Sequence, residues 1–505
     1  MRNAVLLFFA GLFIVLSSCR KDFEFQASTG DLQFSRDTVY LDTVFTNIGS
    51  STYTLKVYNR SDNDINIPTI QLGKGLDSKY RMTVDGMTGT NGKIFNNVEL
   101  LAKDSLFIFI ETTASIADAN ADDFLYTDQI RFDNGSNLQT VELVTLIQDA
   151  VFLYPQRFDD GTTETLQIGE DSIYGFFLDE NDPIHGNEYT FTNEKPYVIY
   201  GYAAVANGKT LNIQPGARVH FHDSSGIIVA QGGSLHVGAP NTTPTEANQV
   251  VFEGDRLEPG FSDVPGQWGA IWLTPGSTDN QFNNVTIKNA VIGLYIQQSD
   301  ATLNNTQIYD CSNFGILAQT ATITGQNVVA NNAGQATLAC TLGGSYAFRH
   351  CTFNNNWPSS KQAAVVVDNY YKDENNAVHA FALTGAQFDN CIIYGSNSRE
   401  LALNKSTEAA FTYQFNNCLI KFINTGFEQH AEYQFTDPAF YNNIVRNENP
   451  DFKDINQNEL IIGADSGANG IGNAAAAALV PYDLLGVPRV GVVDAGAYQH
   501  ITFED

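Results

Sequence analysis

A six-residue motif recurs five times between residues 282 and 420, and it constrains the fold more than any other feature of this sequence. Each copy begins with a large apolar residue, and the third residue is asparagine in four of the five copies. Consecutive copies lie 21 residues apart where the series is uninterrupted and 45 across the longest gap. A unit of ~20–30 residues without helical periodicity is typical of a parallel β-helix. The copies begin at Phe282, Leu303, Phe348, Phe388 and Phe415.

Two different patterns precede the repeat. From Pro196 onward, short apolar runs are punctuated by glycine or proline, as the corners of a coiled parallel sheet require. Residues 31–152 instead contain alternating apolar strands separated by turn residues, the pattern of an antiparallel β-sandwich. That segment has no cysteine, which excludes a disulfide-pinned antibody-type sandwich.

The N-terminus has the features of a targeting segment. Residues 4–16 form an uninterrupted apolar run after a short basic start, and this run is too short for the ~20 residues of a spanning helix. The next residues, Ser17-Ser18-Cys19, resemble with Leu16 the lipobox of bacterial lipoproteins. The resemblance implies that Cys19 is lipidated and begins the mature chain. Because Arg20, and not aspartate, directly follows Cys19, it also implies the outer membrane, with either face of that membrane left open.

Residues 197–499, about three fifths of the chain, resemble the pectin-lyase-like superfamily of right-handed β-helix proteins. Residues 31–152 resemble immunoglobulin-like domains of envelope proteins. The expected fold class is therefore all-β, with an N-terminal antiparallel, Ig-like β-sandwich followed by a right-handed parallel β-helix. In the C-terminal region, Arg489, Asp494 and Tyr498 resemble a structural closing motif. The expected division is a signal peptide (1–18), a lipidated cysteine and linker (19–30), the sandwich (31–152), a connector and N-terminal cap (153–195), the β-helix (196–430) and its C-terminal cap (431–505).

Charge excludes one class of function. The sequence has 27 Lys and Arg against 56 Asp and Glu, a net charge of −29. A nucleic-acid-binding protein needs a basic surface to neutralise phosphates, so no nucleic-acid partner is expected.

Repeat alignment predicts two structural ladders. Three cysteines share one apolar repeat position and should stack unreactively in the core, because burial raises the pKa of a thiol. A thiolate metal site is the alternative. Asparagines that share a second position should hydrogen-bond along a turn. The cysteine ladder comprises Cys351, Cys391 and Cys418, and the asparagine ladder Asn284, Asn305, Asn390 and Asn417.

His220 and His222 are candidate metal ligands, since they alternate on one strand with Asp223 adjacent. Val219 and Phe221 form the better inward pair, so both histidines are expected on the solvated face. A zinc site would need a third ligand that the sequence does not identify.

Enzymes of the resembled superfamily work on the outer face of the helix with paired carboxylates, or with calcium and a basic residue. Their catalytic signatures are absent from this sequence. The remaining candidates for catalysis are Arg349, His350 and Arg399, although pairing of Arg349 with Asp389 one coil away would explain the arginine without chemistry. No cofactor is expected, apart from calcium if the protein is a lyase.

The 40-residue interval between the copies that begin at Phe348 and Phe388 carries the candidate ligand-binding loop, Tyr370, Tyr371, Lys372 and Asp373. Loops on a rigid scaffold often bind ligands, and tyrosine rings stack on sugar faces. A tolerated surface insertion is the alternative.

The sequence thus favours an envelope-anchored, non-catalytic binding or scaffolding protein. Its expected partners are the membrane, through the lipid, and a glycan or another envelope component. A polysaccharide lyase or glycoside hydrolase, and a structural or adhesive rod, remain alternatives.

Overall fold

The computed structural model describes residues 24–169, 171–423, 426 and 430–504. The chain divides into two compact units between residues 149 and 150. Both units are built of β-strands, as the sequence predicts. The signal peptide and Cys19 lie outside the described residues. In the described part of the chain, no helix has the length and apolar character needed to cross a membrane.

The N-terminal unit is a two-sheet sandwich. Alternation of buried and exposed residues sets its core: in the strand Ser105–Thr112, Leu106, Ile108 and Ile110 are buried, whereas Phe107 and Phe109 are exposed. Its strands are β1 Gln26–Ala27, β2 Gln33–Phe34, β3 Thr38–Phe45, β4 Tyr53–Tyr58, β5 Ile65–Leu72, β6 Tyr80–Val84, β7 Ile94–Leu100, β8 Ser105–Thr112, β9 Leu125–Phe132 and β10 Gln139–Gln148. One sheet has the order β1-β5-β9-β10-β3 with β7 beside β5, and the other β2-β4-β8-β6. Pairing is antiparallel except between β1 and β5 and between β3 and β10.

The second unit is a coil of parallel strands. Its strands are β11 Val151–Leu153, β12 Thr165–Ile168, β13 Asp171–Phe177, β14 Thr190–Phe191, β15 Tyr197–Ile199, β16 Tyr202–Val205, β17 Thr210–Ile213, β18 Arg218–Phe221, β19 Gly226–Val229, β20 Ser234–Val237, β21 Val250–Gly254, β22 Trp268–Leu273, β23 Gln281–Lys288, β24 Ala290–Gln297, β25 Asp300–Cys311, β26 Phe314–Gln326, β27 Val329–Ala333, β28 Ala336–Arg349, β29 Thr352–Asn355, β30 Ala363–Asp368, β31 Tyr370–Lys372, β32 Val378–Ala380, β33 Leu383–Asp389, β34 Ile392–Gly395, β35 Leu401–Asn404, β36 Gln414–Asn416, β37 Leu419–Ile420, β38 Tyr441–Asn442 and β39 Val445–Arg446. A short hairpin, β40 Phe452–Asp454 and β41 Glu459–Ile462, and one helix, α1 Ala474–Leu479, follow.

Each turn of the coil contributes to three parallel sheets. Sheet 1 contains β15, β18, β21, the second parts of β23 and β25, β27, β29, β34, β37 and β39. Sheet 2 contains β16, β19, β22, β24, the first parts of β26 and β28, β30 and β35. Sheet 3 contains β14, β17, β20, the first parts of β23 and β25, the second parts of β26 and β28, β33, β36 and β38. This is the parallel β-helix that the repeat predicts; its right-handed sense stays a prediction.

The repeat motif sets the register of sheet 3. Phe282 pairs with Leu303, and Phe348 pairs with Phe388, which pairs in turn with Phe415. One further coil lies between the copies that begin at Leu303 and Phe348. The motif does not mark it, because Gly325 occupies its first position. A Cβ atom there would lie 2.5 Å from the Phe348 ring, so the neighbouring phenylalanine fills the space.

The corner between sheet 3 and sheet 1 explains the repeated asparagine. Register places seven residues in one row along this corner, and all have φ between +50° and +54°. Asparagine adopts this left-handed conformation more readily than most residues because its short polar side chain bonds locally. We call this row the corner ladder; it comprises Asn284, Asn305, Asn327, His350, Asn390, Asn417 and Asn443.

The C-terminal region corrects one expectation. Residues 431–505 were expected to cap the last coil, and Tyr433 and Phe435 do pack on Phe422 and Tyr441 at that end. Residues 449–504, which we call the C-terminal segment, instead lie along the side of the coil. Their apolar side chains cover the outer face of sheet 1, because that face carries apolar residues that water would otherwise contact. The contacting side chains include Leu460, Leu484 and Tyr498 on Tyr309 and Val329, and Ile462 and Ala495 on Ile392 and Leu419.

Candidate functional site

A cleft lies where the C-terminal segment passes the corner ladder. Its volume of about 560 Å³ lies in the range of small-molecule sites. One wall is the loop 239–244 that follows β20, and the other is residues 479–483, from the last residue of helix α1 onward. The floor is the outer face of sheet 3 and the adjoining ladder, so the rigid coil fixes the floor while two excursions from it form the walls.

Neutral amides line the floor of this cleft. Asn283, Asn304 and Gln326 lie side by side in successive coils of sheet 3. The Asn304 Nδ2 atom donates to Asn283 Oδ1 at 3.0 Å, which orients both amides. Thr302 lies beside them, and the ladder residues Asn284, Asn305 and Asn327 complete the floor.

The wall formed by the C-terminal segment carries an aromatic side chain. Tyr482 is 56% exposed, and its backbone carbonyl accepts hydrogen bonds from Asn327 Nδ2 at 3.0 Å and from Arg489. Arg489 also donates to Asn327 Oδ1 at 2.9 Å. These contacts hold the backbone of Tyr482 against the ladder while its ring stays available to a ligand.

Asp483 is the one carboxylate among the described residues that line the cleft, and its oxygens are occupied. Oδ1 accepts the N–H groups of Leu485 and Val487 at 2.8 and 2.7 Å, and Oδ2 accepts that of Gln499 at 2.9 Å. Burial raises its pKa. Asp483 therefore holds a loop together and is not presented to a ligand.

The predicted ligand-binding loop forms a separate hairpin between sheets 2 and 3. Tyr370, Tyr371 and Lys372 form strand β31, which pairs with β32. The Tyr371 ring stacks on His379 at 4.7 Å between centroids, and His379 Nε2 lies 3.0 Å from Asp373 Oδ2. One face of Tyr371 and the Asp373 carboxylate are thus used within the hairpin, and Tyr370 is half-buried.

The candidate catalytic residues are not brought together. His350 lies in the corner ladder between sheets 3 and 1, whereas Arg399 lies just before β35 of sheet 2 and forms a bridge with Phe422. Arg349 lies 3.9 Å from Asp389 in the next coil, the pairing expected from the repeat. His350 is fully buried, and its Nε2 atom lies 2.8 Å from Asn390 Nδ2.

His220 is not on a solvated face, which corrects the expectation for this residue. It points away from the core but is only 4% exposed, because Glu253 in the next coil lies 3.8 Å away and pairs with Lys288 at 2.7 Å. His222 is exposed, stacks on Tyr200 and binds Asp255 Oδ2 at 2.7 Å. The two imidazoles thus have different partners, and neither contact joins them in one site.

The cysteines and asparagines of the predicted ladders lie in the coil interior and at its corner. Cys351, Cys391 and Cys418 are buried free thiols, and the N–H of Cys391 donates to Cys418 Sγ at 3.4 Å. Burial raises the pKa of the Cys391 thiol well above its usual value, as it does for Cys340. A thiolate that could bind metal is thereby disfavoured.

Sequence reasoning missed the cleft. The sequence feature that could have indicated the cleft is a pair of polar residues at the second and third motif positions. These pairs are Asn283-Asn284, Asn304-Asn305 and Gln326-Asn327. Only the second residue of each pair turns the corner; the first lies on the outer face of sheet 3. The wall residues near 240 and 480 are too far apart in sequence for any local pattern to join them.

No protein-family model matches this chain, and no curated protein matches it. Solved structures similar to part of it include a family 123 glycoside hydrolase from Clostridium perfringens (9% identity, TM-score 0.17, 24% of this chain and 26% of that chain). The E. coli chaperone DraB is similar at 15% identity and TM-score 0.16, covering 24% of this chain and 57% of that one. PapD-like domain 7 of human CEP192 is similar at 13% identity and TM-score 0.16, covering 26% of this chain and 96% of that one. The chain therefore spans about a quarter of the hydrolase and just over half of DraB, and these likenesses identify no family.

Proposed function

We propose that this protein is an envelope-anchored lipoprotein that binds a neutral glycan in the amide-lined cleft without turning it over. The observation that carries the proposal is the composition of the cleft: neutral amide and hydroxyl side chains on a rigid floor, one exposed tyrosine, and one carboxylate that is already satisfied.

The chemistry of the lining favours a neutral sugar as the ligand. Amide groups donate and accept hydrogen bonds simultaneously, as the vicinal hydroxyls of a sugar require. The apolar face of a sugar ring can pack on Tyr482. A net charge of −29 repels acidic polysaccharides, so a polyuronate is a poorer match.

The arrangement of carboxylates supports binding over hydrolysis. A glycosidase needs two carboxyl groups ~5–9.5 Å apart, one to donate a proton and one to act as nucleophile or base. The described lining offers only Asp483, whose oxygens accept backbone N–H groups. A lyase or hydrolase, and a structural rod, remain the competing proposals.

The test is affinity electrophoresis of the purified full-length protein through gels containing an α-glucan, a mixed-linkage β-glucan, xylan, mannan or polygalacturonate. We expect retardation by at least one neutral polysaccharide and none by polygalacturonate. Tyr482→Ala, and the double variant Asn304→Ala with Gln326→Ala, should weaken that binding about tenfold, equivalent to about 1.4 kcal/mol.

The matched control is Tyr371→Ala, which removes an exposed tyrosine from the hairpin and should leave binding unchanged. If Tyr371→Ala lost binding while Tyr482→Ala kept it, the binding site would lie at the hairpin and not in the cleft. Release of reducing or unsaturated ends from any of these polysaccharides would overturn the non-catalytic proposal, and absence of binding to all of them would leave the structural rod.

A further inference from the structure

The loop between β13 and β14 brings two carboxylates and an imidazole to one point. Asp182 and Gly186 exchange two backbone hydrogen bonds of 2.9 Å, which closes a tight turn. This turn places Asp182, His185 and Glu188 together, and one ligand atom from each lies within 4.8 Å of the others. The loop belongs to the first coil and lies far along the chain from every residue of the cleft.

The distances within this group match those of ligands around one ion. His185 Nδ1 lies 3.2 Å from Asp182 Oδ1 and 3.1 Å from Glu188 Oε1. Zn²⁺ holds nitrogen and oxygen ligands at ~2.0–2.2 Å, which places neighbouring ligand atoms roughly 3.0–3.5 Å apart. Both distances from Nδ1 fall in this range, and the third, between the two carboxylates, is within 4.8 Å.

The imidazole can donate a hydrogen bond to only one of the two carboxylates beside it. Nδ1 carries at most one hydrogen, so it can make one well-directed bond and not two. The Glu188 side chain is only 7% exposed, and a buried carboxylate needs a cation or several donors. Lys209 pairs with Glu180 of the same loop at 2.7 Å.

The backbone holds both carboxylates in place without consuming the imidazole. Asp182 Oδ1 accepts the N–H groups of Ile184 and His185 at 2.9 and 2.7 Å, and Glu188 Oε2 accepts that of Asp179 at 2.9 Å. Unlike the bonds to Asp483, which use both of its oxygens, these backbone bonds use one oxygen of each carboxylate and none uses Asp182 Oδ2 or Glu188 Oε1. The ligand group is therefore organised before any ion arrives, which reduces the entropy lost on binding.

We propose that Asp182, His185 and Glu188 bind one divalent transition-metal ion, with Zn²⁺ as the best match. An imidazole and two carboxylates are donors that zinc accepts, whereas Ca²⁺ takes six to eight oxygen ligands. The ion would tie the loop to the first coil next to the buried Tyr189 and Phe191. This site is independent of the glycan cleft.

The experiment is calorimetric titration of the chelator-stripped full-length protein with ZnCl₂, and in parallel with CaCl₂. We expect one equivalent of Zn²⁺ to bind and to raise the unfolding temperature, and Co²⁺ to give the visible absorption bands of a protein-bound ion. His185→Ala should weaken Zn²⁺ binding at least about 100-fold, since losing a ligand should exceed the cost of losing an outer partner.

Two isosteric variants protect the test against misfolding. Asp182→Asn and Glu188→Gln keep the oxygens that accept backbone N–H groups but lose the charge, and both should weaken binding with unchanged circular dichroism. His222→Ala is the matched control, because His222 binds the single carboxylate of Asp255, and it should bind Zn²⁺ as the parent does. Absence of stoichiometric Zn²⁺ binding, equal affinity in His185→Ala, or binding of Ca²⁺ alone would overturn the proposal.

Discussion

His350 occupies a position that asparagine fills in the other coils of the corner ladder. Its backbone has φ of +51°, and burial lowers its pKa from 6.5 to about 3, with the charge of Arg489 acting in the same direction. The unfolded chain therefore binds a proton at this residue more tightly than the folded chain does. The contribution of neutral His350 to stability is present above pH 6.5 and is lost as the pH falls towards 3.

We expect His350→Asn to reduce the loss of stability between pH 6.5 and 3. At about 1.36 kcal/mol per pKa unit, the parent protein should lose about 4 kcal/mol more of its free energy of unfolding than His350→Asn does by pH 3. Urea unfolding of both proteins across this range measures the effect, and asparagine suits the left-handed backbone. Parallel curves of stability against pH would show that His350 does not titrate with folding.

Asn417 tests why the ladder selects asparagine. Its φ is +53°, and its Nδ2 atom donates to the Ile471 carbonyl at 2.7 Å. Asn417→Ala and Asn417→Gly both lose this bond, but only alanine is strained in the left-handed region. Glycine also loses more backbone entropy on folding, which offsets part of this difference. The Asn417→Ala variant should still be less stable than Asn417→Gly by roughly 0.5–1 kcal/mol. Equal thermal stability of the two variants would exclude backbone strain as the cause.

Single residues could be predicted from the sequence only where the repeat fixed their position. The ladder asparagines follow from alignment, because each coil repeats one corner. His220 was expected to be solvated because strand alternation separates inner from outer faces. Strand alternation alone does not predict that Glu253 on the next coil, and its ion-pair partner Lys288 one coil further on, lie over this part of the outer face.

At the scale of elements, one buried arginine holds the C-terminal segment against the coil. Arg489 is 5% exposed and donates to Asn327 Oδ1 and to the carbonyls of Val480, Gly496 and Ala497. It joins two stretches of the segment to the corner ladder. Because these carbonyls are buried, removing their donor leaves them without a hydrogen bond.

Arg489→Met should destabilise the attachment of the C-terminal segment by about 3–5 kcal/mol. Limited proteolysis should then cleave within residues 449–504 while the coil resists. Arg256→Met is the control, since Arg256 pairs with Glu258 on the surface, and its effect should stay within about 0.5 kcal/mol. Equal cleavage of Arg489→Met and the parent protein would contradict this role.

The elements themselves were predictable to different extents. The strands of the coil followed from the spacing of apolar residues, and the presence of a loop near residue 370 from the 40-residue interval in the repeat. The pairing of that loop into the hairpin β31–β32 was not predicted. The coil that begins at Gly325 was missed because glycine replaces the first apolar residue of the motif. The course of the C-terminal segment could not be predicted, since it depends on an apolar outer face of sheet 1 that becomes continuous only after coiling.

At the scale of the whole molecule, the order of a sandwich followed by a coil was predictable because the two units use different periodicities. The alternating strands of residues 31–152 contain no repeat, whereas the later strands return at intervals set by one coil. The cleft was not predictable because its floor and walls come from widely separated parts of the sequence. Its amides become adjacent only when successive coils stack.

The proposed membrane anchor concerns the whole molecule and rests on Leu16-Ser17-Ser18-Cys19 after a short apolar run. Acyl chains on Cys19 would bury methylene groups worth ~0.8 kcal/mol each, and two or three chains hold a protein stably at a membrane. We expect the protein expressed in a Gram-negative host to incorporate labelled palmitate and to enter the detergent phase, and Cys19→Ala to lose both properties. Cys311→Ala, which alters a buried free thiol, should retain them. Palmitate labelling that persists in Cys19→Ala would refute the anchor, and the glycan proposal would then apply to a protein held at the envelope by other means.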